Sequence, residues 1–510
     1  MSLFPGSLLD ALRESPGTAA FEHAGRVVSR EESLRLIGRL AAALRDAGLG
    51  PGDGLAVRTS VTPEAFAAHI AAHVVGCRVV GVRPGYPAGQ LAHVLGMDVG
   101  ALLVDPQTAS PDLLEAAGPI PVLSLGGTGA LEARNLLDGP ESATLDVTAR
   151  PGDVALLAFT SGSTGRPKGC AVTYRALSEH WAWQPRSWGP VAAGFAAAFE
   201  RYLLFGTLAS MVVFEFVAPC LLGGGTAVIP ADDGRPLFPY AIERYGITGS
   251  IVTVPRLGQM LDVLRRDTVD VGSLRALMVS GSPLGPNRLA EAVELLGPVV
   301  YNGYGQTEAG SVSMLTPADI AAGRLDSVGR PHPRVEISVR DDAGGEIGQE
   351  GNGEIYVRSP YTMSGYWGDP AENDATLRTG GWVRTRDLGH LDRDGYLHLD
   401  GRSRDAVMVN AMVVYAGPIE RVLAGHPDVA EAYVVGAPDE RTGEAVHAFV
   451  VPAAGHRPDG AALKEMSAAV QDELGEDSVP QTIRVVPAVP ADASGKPDKR
   501  ALLKVVEPRF

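Results

Sequence analysis

The spacing of apolar positions changes along this chain, and each change predicts a different kind of structure. In residues 29–49, SREESLRLIGRLAAALRDAGL, Leu34, Ile37, Leu40 and Leu44 recur at helical spacing. Ser29 followed by Glu32 fits a capping box, so an amphipathic helix is predicted to begin there. Short β-rich runs then alternate with helical ones: GLAVRTS, PEAFAAHIAAHVVG, RVVGVRP, QLAHVLGMDVG, ALLVD. The alternation returns in GTAVIP, PLFPYAIERYG, SIVTVP, RLGQMLDVLRRD and ALMVSGS. Strands that alternate with helices predict an α/β fold with layers of parallel-rich sheet. After about residue 330 the runs become short strands with turn signals, as in VEISVRDDAGGEIG, GEIYVRSP and GWVRTRDLGHLDRDGYLHLDGR. That is a β-rich subdomain. A polar turn at Gly401–Asp405 follows, and beyond it PIERVLAGH, VAEAYVVGAP, VHAFVVP and AALKEMSAAVQDEL read as α+β. The pattern predicts a large N-terminal domain, residues 1–401, and a small C-terminal domain, residues 402–510.

Composition narrows the chemistry. A chain of 510 residues is too long for one core, which agrees with two domains. A net charge of -16 argues against a nucleic acid as the main partner, while leaving room for a local basic site. Cys77, Cys170 and Cys220 have no ligand spacing and read as buried thiols of a reducing compartment. The first residues show no secretory signal. The most apolar stretch, SMVVFEFVAPCLLGGGTAVIP, is broken by Glu215, Pro219 and three glycines. No membrane span is expected, and the expected location is cytoplasmic.

The strongest local signal is AFTSGSTGRPKGCAVTY, residues 158–174. An apolar strand leads into it, so it is expected at the carboxyl end of a sheet, where open α/β folds bind ligands. Glycines let backbone approach a phosphate, Thr160, Ser161, Ser163 and Thr164 offer hydroxyls, and Lys168 adds a point charge. Gly169 follows that lysine, so this is not a Walker A loop. A mobile surface turn is the plain alternative reading.

TSGSTGRPKG resembles the phosphate-binding signature of the adenylate-forming superfamily: acyl-CoA synthetases, adenylation domains and luciferases. YNGYGQTEAG, GWVRTRDLG, DGYLHLDGRSRD and ASGKPDKRAL are similar to that family's further signatures, in the same order. In texture the chain is most similar to bacterial aryl- or acyl-CoA ligases. The resemblance implies that Thr160, Ser161, Ser163, Thr164, Lys168, Ser282 and Asn302 line the nucleotide site. It implies that Tyr304 stacks on adenine, Thr307 meets phosphate and Glu308 holds Mg2+. Asp387 and Arg402 would take the ribose, Asp405 the hinge, and Lys496 the catalytic lysine role. A small, mobile C-terminal domain would carry Lys496 in and then rotate. The chain has only five lysines, Lys168, Lys464, Lys496, Lys499 and Lys504. Two of these fall on motif positions, which favours function in an arginine-rich chain.

The implied activity joins an organic acid, expected to be aromatic, to AMP with release of pyrophosphate from ATP. The adenylate then passes to coenzyme A or a phosphopantetheine carrier. A small-molecule acid and a carrier protein are the implied partners, in a monomer or homodimer without nucleic acid or membrane. Some positions depart from the family pattern. Asn410 and Ala411 stand where a glycine pair is expected, which narrows a thiol tunnel. Arg386 replaces the glycine of Thr-Gly-Asp. Met211 stands where α-amino-acid enzymes carry aspartate, and LLFGTLASM lacks the histidine common in CoA ligases. Glu200 and Arg201 are either a structural pair or contacts for a polar group of the substrate. SEHWAWQPRSWG either packs or walls an aromatic substrate. These departures keep open an adenylate captured by an amine, including a diazotase that activates nitrite for an aryl amine. A catalytically dead nucleotide-binding scaffold is the remaining alternative.

Overall fold

The computed structural model describes residues 2–127, 133–142, 144–160, 166–341, 343–348, 351–403, 405–409, 412–439, 441–491 and 496–506. Among these, the N-terminal two-thirds contains two large sheets. One has eight strands and runs Gly365–Tyr366, Lys168–Thr173, Val154–Thr160, Arg78–Gly81, Gly54–Arg58, Val99–Val104, Val122–Ser124, Arg134–Asn135. Its pairings are parallel except at the Lys168–Thr173 strand, which runs antiparallel to both neighbours. The other has nine strands, with a parallel centre: Thr226–Ile229 beside Arg201–Leu203, then Gly249–Thr253, Ala276–Ser280 and Val300–Gln306. The α/β reading of the sequence therefore holds.

Helices between the sheets follow from the pattern. The Arg30–Asp46 helix starts at Ser29, whose hydroxyl accepts from the Glu32 N–H, and it buries Ile37, Leu40 and Leu44. Only half of the expected capping box forms, because the Glu32 carboxylate pairs with Arg26 instead. The Pro63–Val75 helix is capped by Thr62 and is buried on nearly every face, His69 and His73 included. All-round burial explains why its sequence lacks a polar stripe. The interrupted apolar stretch forms the Met211–Leu222 helix, with Pro219 inside it. No helix among the described residues is long and apolar enough to cross a membrane. Cys77, Cys170 and Cys220 are buried, and burial pushes Cys77 and Cys220 up to about 12.

The β-rich segment is a five-stranded sheet centred on Trp382–Leu391, which pairs with Gly353–Arg358, Leu377–Arg378 and Leu397–Arg402. A separate five-stranded sheet, built on Val429–Asp439 and Gly443–Pro452, carries the Ala416–Ala424 and Gly460–Leu474 helices. Its core contains Val407, Ile419, Leu423, Val434, Val446 and Val470.

Side-chain contacts seat this last unit on the rest. The Asn287 side-chain amide donates to the carbonyls of Ala424, His426 and Val429 at 2.9–3.0 Å. Beside it, buried Arg288 pairs with Glu431 at 3.1 Å. At the junction itself Gly401 and Gly417 touch through backbone. A Cβ on Gly417 would lie 2.0 Å from the Asp400 carbonyl oxygen, and Gly401 has φ +126°.

Candidate functional site

The carboxyl ends of the parallel strands, the β-rich sheet and the C-terminal unit converge on one region. Asp387 lies within it on the Trp382–Leu391 strand, and it is buried. Its Oδ2 accepts the Tyr304 hydroxyl at 2.6 Å and the Gln306 side-chain amide. Its Oδ1 faces Arg402 Nε at 3.0 Å. Strand pairing fixes this last contact, because Asp387 and Arg402 are register partners. Tyr304 and Gln306 point the same way because they are two apart on the Val300–Gln306 strand. Burial, then the neighbouring Asp387 carboxylate, push the Tyr304 hydroxyl well above its ordinary value, so it stays a donor. Burial works to lower Arg402, but Asp387 and Asp405 outweigh it and hold the guanidinium charged.

A second cluster surrounds Lys168. Thr160 and Lys168 are register partners at the mouth of the expected phosphate loop. Lys168 Nζ lies 2.8 Å from Glu372 Oε2 and 5.4 Å from the centre of the Tyr366 ring. The Tyr366 hydroxyl donates to Glu308 Oε1 at 2.8 Å. Burial and then Glu308 raise the Tyr366 hydroxyl far above its ordinary value. Tyr366 thus ties the cationic and anionic ends of the site together. Arg386 pairs with the other oxygen of Glu372 and donates to the Thr376 hydroxyl at 3.3 Å. For Glu372, burial acts to raise the pKa, but hydrogen bonds from Lys168 and Arg386 prevail and hold it below the ordinary value.

Thr307 and Glu308 occupy the turn between the Val300–Gln306 and Gly310–Leu315 strands, both half-buried. Asn302 is buried on the first of these strands. Ser282 follows the Ala276–Ser280 strand, and its buried hydroxyl has no partner among the described residues. Lys496 reaches the same turn from the C-terminal unit. A Cβ built on Gly281 would lie 3.8 Å from Lys496 Cε. The structure therefore brings Lys496 against Gly281, the residue before Ser282, and Tyr304, Asp387 and Arg402 together in one cluster. Lys168 and Glu308 are linked through Tyr366. Ser161, Ser163 and Thr164, and likewise Asn410 and Ala411, lie outside the described residues.

Asp405 pairs with Lys499 at 3.1 Å, and Lys499 also meets Glu420 at 2.7 Å. Burial alone would lower Lys499, but Glu420 and Asp405 raise it. Glu308 presents a carboxylate, a hard oxygen donor of the kind that Mg2+ takes. No group of three His, Cys, Asp or Glu side chains is assembled for a metal among the described residues.

Two of the alternatives raised for substrate contacts are resolved toward packing. Arg201 clasps both oxygens of Glu22 at 2.8 Å and donates to the Tyr245 carbonyl. Glu200 is exposed and pairs with Arg275. Both lie at the amino end of the Arg201–Leu203 strand, away from the carboxyl ends where the site residues gather, and these contacts support the structural-pair reading. Trp181 is buried, with its ring stacked on His332, and Trp183 is buried against Phe4 and Phe214. Met211 opens its helix and packs on the core. Sequence reasoning missed Gln306, Tyr366 and Glu372 as contributors to the site. Gln306 lies inside the YNGYGQTEAG stretch, whereas nothing local marks Glu372.

A model of the family described as "AMP-binding enzyme" matches residues 8–367, and one described as "AMP-binding enzyme C-terminal domain" matches residues 418–496. A fatty acid–[acyl-carrier-protein] ligase, ScoC, of Streptomyces coeruleorubidus is 32% identical, over 96% of this chain and 94% of that protein. A feruloyl-CoA synthase of an Amycolatopsis species is 31% identical, over 95% of each. The structure of amide bond synthetase McbA from Marinactinospora thermotolerans superposes with a TM-score of 0.84 at 36% identity. It covers 98% of this chain and 100% of its own. With both family models matched in order and the converging clusters in place, this chain belongs to the AMP-binding enzymes, the adenylate-forming ligases.

Proposed function

We propose that this protein uses ATP to convert a carboxylic acid into its acyl-adenylate and then passes the acyl group to a thiol of coenzyme A or a carrier. A carboxylate oxygen attacks the α-phosphorus of ATP, and the bond from that phosphorus to pyrophosphate breaks. Two anions must meet, so catalysis rests on positioning and charge. The single observation that supports this best is Lys496 at the carboxyl end of the Ala276–Ser280 strand, its Cε 3.8 Å from where a Gly281 Cβ would stand. In this reading Asp387 and Arg402 hold the ribose, and Tyr304 presents its ring to adenine while its hydroxyl braces Asp387. Lys168 meets the phosphates, and Thr307 and Ser282 offer hydroxyls at the reacting end. Mg2+ at Glu308 would neutralise phosphate charge.

Residues beyond Asp405 form the unit that carries Lys496, and we place the hinge there. Its Lys499 pair is one that a rotation breaks or keeps as a whole. An aryl acid is the substrate class that the feruloyl relative supports. A second reading, capture of the adenylate by an amine, draws on the likeness to an amide bond synthetase, which is stronger in identity than that to the thiol ligases. In either case the nucleophile attacks the acyl carbon, AMP leaves and a proton is released.

The test is pyrophosphate release with MgATP against aryl and alkyl acids, each with coenzyme A, with an amine, or with neither, and mass analysis of products. A thioester supports the first reading and an amide the second. No acid-dependent pyrophosphate release overturns both.

A further inference from the structure

Arg386 is the one site-facing departure from the family pattern whose neighbours the structure fully displays. Its backbone has φ 61°, in the left-handed region where glycine is at ease and arginine is strained. The Thr-Gly-Asp pattern explains itself on that ground, and so its replacement demands a return. The return is visible in the side chain. The guanidinium grips Glu372, whose second oxygen holds Lys168 at 2.8 Å. Glu372 and Lys168 are 19% and 17% exposed, so the chain of charges is poorly screened by water.

A triphosphate arriving beside Lys168 changes the balance. Lys168 has three N–H donors but a single positive charge, and a phosphate oxygen competes with Glu372 for that charge. Once Lys168 turns to the phosphate, an unaccompanied Glu372 carboxylate repels the same phosphate across a partly desolvated gap. Resting on the ATP-dependent reading above, we propose that Arg386 is a positioning residue for the triphosphate. It keeps Glu372 neutralised as Lys168 transfers from that carboxylate to the phosphates, so Glu372 seats the lysine beforehand without opposing ATP afterwards. The effect belongs to the β- and γ-phosphates and spares AMP, which lacks them.

The test is calorimetric titration of the full-length protein with MgATP and, separately, AMP. The variants are R386G, R386K, E372Q and the R386G/E372Q double variant. Glycine takes this backbone conformation freely, so R386G keeps the fold. R386G is expected to weaken MgATP about tenfold, with AMP within about twofold, because the uncompensated Glu372 carboxylate beside Lys168 opposes the added phosphates. Adding E372Q to R386G removes the offending carboxylate and should restore MgATP affinity to near wild type. R386K, which keeps the charge, should recover most of it. R386G that binds MgATP as tightly as wild type overturns the proposal, as does a double variant no better than R386G. If wild type binds neither nucleotide, the ATP-dependent reading falls with it. If it binds both and R386G alters neither, only the role of Arg386 falls.

Discussion

Asp387→Asn tests the ribose role with nearly no change of shape. A carboxylate offers about four lone-pair sites. Among the described residues three donors already use them: Tyr304 and Gln306 on one oxygen and Arg402 on the other. One site remains on Oδ1, enough for a single ribose hydroxyl. An asparagine in this position cannot serve all three donors. If its oxygen faces Tyr304 and Gln306, its NH2 confronts Arg402; flipped, it confronts the other two. The variant therefore loses a charge-assisted bond to ribose, worth about 1.5–3 kcal/mol, and gains at best a neutral one of about 0.5–1.5. The difference, about 1–2 kcal/mol, corresponds to about a 5- to 30-fold weaker ATP complex. The assay is the ATP Kd by calorimetry, with the KM of the acid measured in parallel. A well-folded Asp387→Asn protein whose ATP affinity stays within about twofold of wild type refutes the assignment of Asp387 to ribose. An equal loss for ATP and acid would refute its specificity for the nucleotide.

Other expectations are briefer. Lys496→Ala should cut acid-dependent pyrophosphate release by at least about 100-fold, as loss of a charge at the developing transition state does, while ATP still binds; undiminished release would remove Lys496 from the chemistry. Asn287→Ala leaves three carbonyls short of a donor at the seat of the C-terminal unit. It should slow adenylate formation severalfold without weakening AMP, and an unchanged rate would show that this seat is not the adenylating one. Buried His69 and His332 are pushed down to about 4 and His73 to about 3, all by burial first. Their folded values lie below the unfolded one, so the unfolded chain takes up protons first. The stability they contribute is present above about pH 6.5 and is lost as pH falls, by about 2 kcal/mol per histidine at pH 5. His73→Met should shrink the drop in urea midpoint between pH 7 and pH 5; an identical drop would refute this.

Much of the architecture was legible because period and capping are local properties. Ile37, Leu40 and Leu44 point inward because they share a helix face, and Ser29 caps that helix as its side chain dictates. The site motifs were legible for a similar reason: each lies on a strand end or turn whose neighbours in sequence are neighbours in space. What escaped was pairing across distance. Glu372 serves Lys168 from about two hundred residues away, and no local pattern marks a glutamate as the partner of a phosphate-loop lysine. Arg386 was visible as a departure, yet its purpose was not, because that depends on Glu372. Arg201 invited a substrate role until Glu22, from the first strand of the chain, was seen to hold it. The tryptophans near residue 181 were open to either reading, since packing and substrate walls draw on the same residues.

The contact between Gly401 and Gly417 has a mechanical consequence. Where two units meet through side chains, turning one against the other means unlocking interdigitated knobs, a little at a time. Here backbone bears directly on backbone, with the Asp400 carbonyl where any Cβ on Gly417 would stand. At that point the surface acts as a bearing, and the teeth that resist a turn are placed elsewhere, at Asn287 and at the Arg288–Glu431 pair. A single methyl at Gly417 would be a wedge in that bearing, prising the seated orientation open while leaving a swung-out one untouched. If the proposed rotation about Asp405 carries Lys496 in and out, one carbon atom would then slow the step that needs Lys496 seated and spare the step that follows.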